Sequence, residues 1–161
     1  MLFDVDGVLT DGRLWYGDAG EAYKAFHVLD GHGIKMLQQT GTEVALLSGR
    51  RSQAVGARAA ELGITHVLQA VEDKRAAFEA LAARLGVDAD QAGFMGDEVV
   101  DLPVLRRCGF ASAPAQAHEL VRAQAHYVAR APGGGGAARE VCEFVLRAQG
   151  RLDAALARYL A

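Results

Sequence analysis

Residues 1–10 read MLFDVDGVLT, and this stretch carries the strongest information about the fold. A short apolar run leads directly into two aspartates, Asp4 and Asp6, and then into a glycine. Short apolar runs alternate along the chain with longer amphipathic stretches, which is typical of a parallel sheet covered by helices. We therefore predict a doubly wound, Rossmann-like α/β fold whose first strand, at residues 1–5, ends in acidic side chains.

The remaining elements follow from the same patterns. Further strands are predicted at residues 43–47, 66–69, 92–95, 110–113 and 127–129. Helices are predicted at residues 33–39, 52–62, from about Asp73 to Gly86, near 116–124, and after a glycine-rich break at residues 132–136. Aromatic and aliphatic side chains flank Gly17 and Asp18, so residues 14–26 are predicted to form a β-hairpin.

Length and composition bound the class of protein. With 161 residues, 51% of them hydrophobic, we expect one domain over residues 1–161, with a hairpin flap at about 12–27 and a glycine-rich tail and C-terminal helix at about 132–161. A net charge of −3 argues against a nucleic-acid partner. No apolar run reaches the roughly 18 residues of a membrane span. Because Cys108 and Cys142 also have no metal or redox spacing, we expect a cytoplasmic protein without a membrane partner.

Polar residues follow four of the predicted apolar runs. They are Asp4 and Asp6 after the first run, Ser48 after the second, Lys74 after the third, and Asp97, Glu98 and Asp101 after the fourth. Ligands of doubly wound sheets bind beyond the carboxyl ends of the strands. These side chains are therefore expected to meet in one crevice.

Such a set of side chains predicts phosphoryl transfer. Carboxylates this close require a cation, and hard oxygen ligands select Mg²⁺. Asp4 is then placed to attack phosphorus, and Asp6 to protonate the leaving oxygen and later to activate water. Ser48 and Lys74 would donate to phosphoryl oxygens. The chain has only three lysines among 17 basic residues, which favours a specific role for an ammonium where one is kept.

Each of these motifs has a simpler interpretation on its own. A DxD pair is common in solvated turns, and a Ser-Gly pair in turns between a strand and a helix. Lys74 and the GDxxxD stretch would suit helix N-termini. The four together, in this order and each after an apolar run, favour the phosphatase interpretation.

At these residues the sequence resembles the phosphatases of the haloacid dehalogenase superfamily. DVDGVLT at residues 4–10, Ser48, Lys74 and GDEVVD at residues 96–101 match the four motifs of that superfamily. The resemblance implies its fold without a large cap and with a small hairpin flap.

The resemblance also implies roles for the acidic residues. Asp4 would be the nucleophile, and Asp6 the general acid and base that also offers its backbone carbonyl to Mg²⁺. Asp97 would be a metal ligand, and Asp101 and Glu98 would support the metal site. Glu98 stands where the superfamily often has aspartate.

Longer stretches are similar to one family within the superfamily. Residues 4–21 (DVDGVLTDGRLWYGDAGE), 24–35 (KAFHVLDGHGIK) and 135–153 (GGAAREVCEFVLRAQGRLD) resemble the 3-deoxy-D-manno-octulosonate 8-phosphate phosphatases. The resemblance implies a Mg²⁺-dependent release of phosphate from this acid sugar in lipopolysaccharide biosynthesis. It also implies a homotetramer whose hairpins meet at its centre, with neighbouring chains or tails closing each site.

The same resemblance implies a set of substrate contacts. They are Asp6, His27, Val28, Leu29, Asp30, Gly31, Lys35, Arg50, Arg58 and Lys74. An acid sugar phosphate carries a carboxylate, which the arginine fork suits. Lys35 stands where the family usually has arginine, and residues 133–136 are all glycine where relatives often carry an arginine.

Three other functions are alternatives to this one. Phosphatases of nine-carbon 3-deoxy-nonulosonate 9-phosphates tend to carry Glu after the motif-two glycine and Lys on the following helix, whereas Arg50 and Glu61 stand here. A non-catalytic subunit on the same fold would have lost Asp4 or Asp6, and both are present. A receiver domain would carry its phosphoacceptor after the third strand instead of the first.

Overall fold

Strands and helices alternate along most of the chain. The computed structural model describes residues 1–18 and 20–160, and of Ala22 the backbone only. The strands are β1 (Leu2–Phe3), β2 (Trp15–Gly17), β3 (Gly20–Tyr23), β4 (Ala45–Leu47), β5 (His66–Leu68), β6 (Gly93–Met95), β7 (Phe110–Ala113) and β8 (Tyr127–Val128). The helices are α1 (Val28–Gln39), α2 (Gln53–Leu62), α3 (Lys74–Leu85), α4 (Leu102–Leu105), α5 (Glu119–Gln124), α6 (Ala137–Ala148) and α7 (Leu152–Ala157).

Six of the strands form one parallel sheet in the order β5-β4-β1-β6-β7-β8. At its centre, Leu2 of β1 pairs with Ala45 of β4 on one side and with Phe94 of β6 on the other. The chain winds outward from β1 in both directions, so the carboxyl ends of β4, β1 and β6 meet at the topological switch point. The predicted doubly wound parallel sheet is confirmed.

Apolar side chains fill both faces of this sheet. Phe3, Ile34 and Val141 belong to the core between the sheet and helices α1, α2 and α6. Leu2 and Phe78 belong to the core on the other face, beneath α3, α4 and α5. Strand β1 therefore supplies successive residues to opposite cores, as the alternation of side chains along a strand requires.

Strands β2 and β3 form the predicted hairpin outside the main sheet. They pair antiparallel, with Tyr16 opposite Glu21. The ring of Trp15 stacks on that of Tyr23 with centroids 5.9 Å apart, and the two residues are 46% and 62% exposed. The hairpin thus presents aromatic surface to the surroundings.

Helix α1 begins five residues before its predicted start at residue 33. Gly31 and Gly33 lower the intrinsic helix propensity of this turn, which is why the sequence pattern did not show it. The helix keeps Gly31 because it packs closely there: a Cβ at this position would overlap the guanidinium of Arg58.

The C-terminal region contains two helices where one was predicted. α6 packs on α1 of the same chain, and Val141, Cys142 and Leu146 are fully buried. α7 follows after a turn at Gly150, whose φ is +66°. The final part of the chain therefore completes its own core.

A buried carboxylate joins these two helices. Asp30, in the first turn of α1, accepts hydrogen bonds from the backbone N–H groups of Gly136 (3.3 Å) and Arg139 (2.8 Å) at the start of α6. Burial raises the pKa of Asp30, and these hydrogen bonds oppose the rise. None of the described helices is long and apolar enough to cross a membrane.

Candidate active site

Asp4 lies directly after β1, deep in the fold. Its backbone N–H donates to the carbonyl of Met95 at 2.9 Å, and only 6% of the residue is exposed. Its Oδ1 lies 2.9 Å from Nζ of Lys74, the first residue of α3. The same ammonium donates to Oδ1 of Asp101 at 2.6 Å. One buried cation is thus shared by two buried carboxylates.

A third carboxylate, that of Asp97, lies beside Asp4 and Asp101. Asp4, Asp97 and Asp101 each present one carboxylate oxygen within 4.8 Å of the others. Oδ2 of Asp101 accepts from the backbone N–H groups of Asp97 (2.9 Å) and Glu98 (3.2 Å), which fixes the turn after β6. Oδ1 of Asp97 is buried and accepts no hydrogen bond from any described residue.

The pKa values reflect this crowding. Burial, and then repulsion from Asp101, raises the pKa of Asp4 to about 6. Burial, and then repulsion from Asp4 and Asp101, raises the pKa of Asp97 to about 7. Burial alone would lower the pKa of Lys74, but the charges of Asp4 and Asp101 raise it. Three carboxylates facing one ammonium fit a hard divalent cation that prefers oxygen ligands.

The loop after β1 (residues 4–12, the motif-one loop) is a tight turn. The backbone N–H of Leu9 donates to the carbonyl of Val5 at 2.9 Å. Gly7 adopts a φ of +86°, and a Cβ at this position would overlap Oδ2 of Asp97. Glycine is therefore required for the loop to lie against the carboxylate group.

The glycine-rich tail packs against the motif-one loop of its own chain. The N–H of Gly134 donates to the carbonyl of Val8 at 3.0 Å, and a Cβ at Gly133 would overlap the carbonyl oxygen of Gly7. Gln116 joins the two segments, because Nε2 donates to the Gly7 carbonyl at 2.7 Å and Oε1 accepts from the Gly133 N–H at 2.8 Å. The expected closing of a neighbour's site by this tail stays a prediction.

Ser48 and Arg50 follow β4. Ser48 is buried, and its backbone N–H donates to the carbonyl of Leu68 at 2.8 Å. The Arg50 side chain is 43% exposed and reaches the hairpin, where Nη2 donates to the hydroxyl of Tyr16 at 2.9 Å. Ser48 is therefore held by the sheet, whereas Arg50 lies at the surface between sheet and hairpin.

Asp6 turns toward the hairpin. Its Oδ1 lies 2.5 Å from Nζ of Lys24, and its Oδ2 lies 4.0 Å from Nε of Arg50. Oε2 of Glu21 lies 3.0 Å from Lys24 and 3.6 Å from Arg50. Two carboxylates and two cations thus join the hairpin to the motif-one loop.

A cavity of about 290 Å³ at the carboxyl ends of the central strands connects most of these side chains. It is lined by Asp4, Asp6, Gly12, Ser48, Gly49, Arg50, Lys74, Asp97, Glu98 and Val100. The carboxylate of Glu98 accepts a hydrogen bond from the N–H of Val99 at 2.7 Å and is not part of the three-aspartate group. A larger cavity, of about 440 Å³, lies at the opposite edge of the sheet around Leu2 and Ala92 and contains none of the predicted site residues. We therefore take the smaller cavity as the candidate active site.

Several residues predicted to contact substrate lie between α1 and α2, outside the lining of this cavity. Arg58 donates from Nη2 to the carbonyl of His27 at 3.4 Å and from Nη1 to Oε2 of Glu61 at 2.9 Å. Lys35 donates to the carbonyl of Glu61 at 3.1 Å. These cations are engaged within the chain, and their contact with a substrate stays a prediction.

The first turn of α1 divides into exposed and buried residues. Val28 and Leu29 are 77% and 50% exposed, whereas Gly31 packs beneath Arg58. Asp30 is buried, and its carboxylate accepts a hydrogen bond from the backbone N–H of Arg139 at the start of α6. Within one chain, Asp30 therefore has a structural contact that the sequence did not indicate.

Three residues at or beside the site were not predicted to take part. Lys24 contacts Asp6, Glu21 contacts Lys24, and Gln116 joins the motif-one loop to the tail. The scarcity of lysine was a signal for Lys24. Glu21 and Gln116 are common surface residues in turn-rich stretches, so no sequence pattern separated them from solvated side chains.

The sequence is similar to those of proteins named as phosphatases. A family profile of haloacid dehalogenase-like hydrolases matches residues 64–140. Over 155 residues the chain is 44% identical to the 3-deoxy-D-manno-octulosonate 8-phosphate phosphatase of Yersinia pestis, covering 96% of this chain and 83% of that protein. The chain belongs to the 3-deoxy-D-manno-octulosonate 8-phosphate phosphatase family.

Solved structures of this phosphatase family have the same fold. The Moraxella catarrhalis enzyme, in complex with a magnesium ion, a phosphate ion and KDO, superposes with a TM-score of 0.95 at 40% identity and covers 98% of this chain and 91% of its own. The cobalt-bound Haemophilus influenzae enzyme gives a TM-score of 0.92 at 44% identity, with 94% and 89% covered. The predicted superfamily and fold are confirmed.

Proposed function

We propose that this phosphatase hydrolyses 3-deoxy-D-manno-octulosonate 8-phosphate to the free sugar acid and inorganic phosphate, a step of lipopolysaccharide biosynthesis, with Mg²⁺ as cofactor. The observation that carries the proposal is the shared Lys74 ammonium between Asp4 and Asp101, with Asp97 beside them at the centre of the sheet. The chain is also 44% identical to the Yersinia pestis protein named 3-deoxy-D-manno-octulosonate 8-phosphate phosphatase, which supports the same substrate.

Asp4 is the nucleophile in this mechanism. A carboxylate oxygen attacks phosphorus, and the bond from phosphorus to the C8 oxygen breaks as the aspartyl-phosphate forms. Lys74, 2.9 Å from Asp4, orients the carboxylate and donates to a phosphoryl oxygen together with Ser48. Water then attacks phosphorus, releasing phosphate and restoring the Asp4 carboxylate.

Asp6 moves the proton in both steps. It donates a proton to the leaving oxygen in the first step, and in the second its carboxylate takes a proton from the attacking water. Asp6 lies two residues after Asp4 in the same loop and lines the same cavity, which gives it access to both reacting oxygens.

Asp4, Asp97 and the backbone carbonyl of Asp6 would hold Mg²⁺. The unpartnered Oδ1 of Asp97 supports this assignment. Both oxygens of Asp101 are already bonded to Lys74 or to backbone N–H groups, so Asp101 supports the site without being a ligand. When bound, the cation balances the carboxylates and draws charge from the phosphoryl group.

The sugar acid lies above the phosphate in this proposal. Arg50 is the exposed cation that lines the cavity, and it is suited to the carboxylate of the sugar. From the strip at residues 27–31, the exposed Val28 and Leu29 would reach the sugar from a neighbouring chain, as would Lys35 and Arg58. Arg50 and Glu61 favour the eight-carbon substrate over the nine-carbon one.

A homotetramer would supply those contacts. Leu14, Trp15, Tyr16 and Tyr23 of the hairpin are each between 39% and 64% exposed. An isolated hairpin gains little stability from such residues, and a contiguous apolar patch is typical of an interface. We place the assembly in the cytoplasm, where the two buried free cysteines would stay reduced.

Phosphate release from a panel of sugar phosphates tests the function. With Mg²⁺, we expect kcat/KM for 3-deoxy-D-manno-octulosonate 8-phosphate to exceed that for a nine-carbon 9-phosphate by about tenfold or more, since one extra hydroxymethylene unit must fit the same cavity. Preference for the nine-carbon ester would favour the alternative substrate. Full activity after dialysis against chelator would contradict the requirement for Mg²⁺.

A non-catalytic subunit is the remaining alternative. It is disfavoured because Asp4, Asp6 and Lys74 are all present and line one cavity. Binding of the sugar phosphate without any release of phosphate would support it.

A further inference from the structure

Lys24 is a buried ammonium that the mechanism above leaves unused. It follows β3 directly at the base of the hairpin, and its side chain is only 1% exposed. Burial would lower the pKa of Lys24, but its contacts with Asp6 and Glu21 outweigh burial and raise the pKa. The two carboxylates therefore keep the ammonium charged and in place.

The two cations beside Asp6 differ in their surroundings. Nζ of Lys24 lies 2.5 Å from Oδ1 of Asp6, and Lys24 does not line the cavity. Nε of Arg50 lies 4.0 Å from Oδ2, and the Arg50 side chain is 43% exposed at the cavity mouth. Arg50 can therefore contact an anion in the cavity, whereas Lys24 is enclosed by the two carboxylates.

This arrangement leaves the two oxygens of Asp6 in different roles. Oδ1 is held by Lys24 at 2.5 Å, whereas Oδ2 lies 4.0 Å from Nε of Arg50, a residue that lines the cavity. A carboxyl group that protonates a leaving oxygen must present one oxygen within hydrogen-bond reach of it. Small misplacements of such a group cost much of its contribution.

We propose that Lys24 is a positioning residue that aims Oδ2 of Asp6 at the leaving oxygen, an inference that rests on the proposed function. Glu21 takes part by holding Lys24 at 3.0 Å. A compact ammonium suits this enclosed place better than a guanidinium fork, which explains a lysine in a chain where arginine dominates. The hairpin is thereby part of the proton-transfer machinery.

The dependence of turnover on the leaving group tests this role. Lys24→Met keeps the length of the side chain and removes its charge. The comparison uses kcat/KM, which reports the step that releases the leaving group and not the later attack of water that both esters share. On an alkyl phosphate, whose leaving oxygen must be protonated, we expect kcat/KM to fall at least about tenfold. On p-nitrophenyl phosphate, whose leaving group needs no proton, we expect kcat/KM to change less than about threefold. Arg75→Met, which removes an exposed cation on α3, is the matched control and should leave both rates unchanged.

Equal losses on both esters would overturn the proposal and make Lys24 a structural residue, and unchanged rates on both would overturn it as well. Thermal melting shows whether Lys24→Met folds. If it does not, the charge-balanced double variant Lys24→Met with Glu21→Gln replaces it, with the same expected selectivity. A wild-type chain that hydrolyses other alkyl phosphates but not the octulosonate would contradict the proposed substrate and leave the Lys24 test valid. A wild-type chain that hydrolyses only the aryl ester would overturn both.

Discussion

Burial and the neighbouring Asp101 disfavour the negative charge of Asp4, and the ammonium of Lys74, 2.9 Å away, stabilises it. Asp4→Asn keeps the shape of the side chain and removes the nucleophile, so we expect kcat to fall at least about 10³-fold. Because a buried carboxylate with a raised pKa is removed, the melting temperature at pH 7.5 should be unchanged or higher. Asp153→Asn, at an exposed position on α7, is the control. Substantial turnover by Asp4→Asn would mean that water attacks phosphorus directly.

The carboxylate group also predicts how stability depends on pH without metal. The pKa values of Asp4 and Asp97, about 6 and about 7, lie above the unfolded value of 3.8. The folded chain therefore binds more protons between pH 4 and 7, and the stability from these groups is lost as pH rises through that window. In chelator we expect a higher melting temperature at pH 5 than at pH 7.5, measured by calorimetry.

Mg²⁺ should reverse this trend, because it binds the ionised carboxylates and stabilises the fold most at the higher pH. Asp97→Asn should weaken both the pH dependence and the response to Mg²⁺. A melting temperature in chelator that rises steadily from pH 5 to 7.5 would contradict the role assigned to these carboxylates.

Ala70 holds the only left-handed backbone conformation among the non-glycine residues that the structure describes, with a φ of +56°. Such a conformation costs a residue with a Cβ roughly 1–2 kcal/mol. Glycine avoids this cost, but it also raises the conformational entropy of the unfolded chain, which offsets part of the gain. We expect Ala70→Gly to stabilise the chain by about 0.5–1 kcal/mol in denaturant titrations. Ala60→Gly makes the same chemical change in helix α2 and should destabilise by a similar amount.

At the scale of elements, the glycine-rich tail and the motif-one loop depend on each other. Gly133→Ala places a methyl group against the carbonyl of Gly7, so we expect the loop to move, with a lower melting temperature and a kcat reduced several-fold. Gly135 is exposed and meets only Pro132, at 3.0 Å, so Gly135→Ala is the matched control and should be near neutral. Equal behaviour of the two variants would show that the tail does not support the loop.

The elements that the sequence predicted are those with a strong pattern. The Asp4-to-Thr10 stretch, the hairpin and helix α2 with its stop at Gly63 all appear as expected, because apolar spacing and glycine position encode them locally. The start of α1 was hidden by Gly31 and Gly33, since these glycines serve packing against other helices. Packing between distant segments leaves no local periodicity in the sequence.

The residues of the site likewise divide into those that a local sequence pattern predicted and those that depend on contacts between distant segments. Asp4, Ser48, Lys74 and Asp97 each follow an apolar run, and the topology of the sheet was enough to bring them together. The contact between Asp6 and Lys24 depends on how the hairpin folds back onto the motif-one loop, which no local pattern in the sequence indicates.

At the scale of the molecule, the hairpin aromatics are the surface through which copies would meet. Trp15→Ser removes the stacked ring from this surface, and we expect light scattering to show a shift from tetramer to smaller species. If neighbouring chains complete the site, kcat/KM for the acid sugar should fall more than kcat/KM for p-nitrophenyl phosphate. Tyr159→Ser, which removes another half-exposed ring at the C-terminal end, should leave the mass unchanged. A wild-type chain that is monomeric at all concentrations would refute the assembly.

The central position of β1 has a consequence for how this enzyme is made. The ribosome makes β1 before its two neighbours in the sheet, which begin at residues 45 and 93. The hydrogen bond to Asp30 forms later still, because its donor Gly136 lies 106 residues further along the chain. A nascent polypeptide therefore cannot close the core beneath α3, α4 and α5 before Val121 has been translated, nor the core beneath α1, α2 and α6 before α6. The motif-one loop also lacks its contact with Gly134 until late in translation. A translation product that stops before α6 should therefore be a client of chaperones and proteases instead of a partly active enzyme.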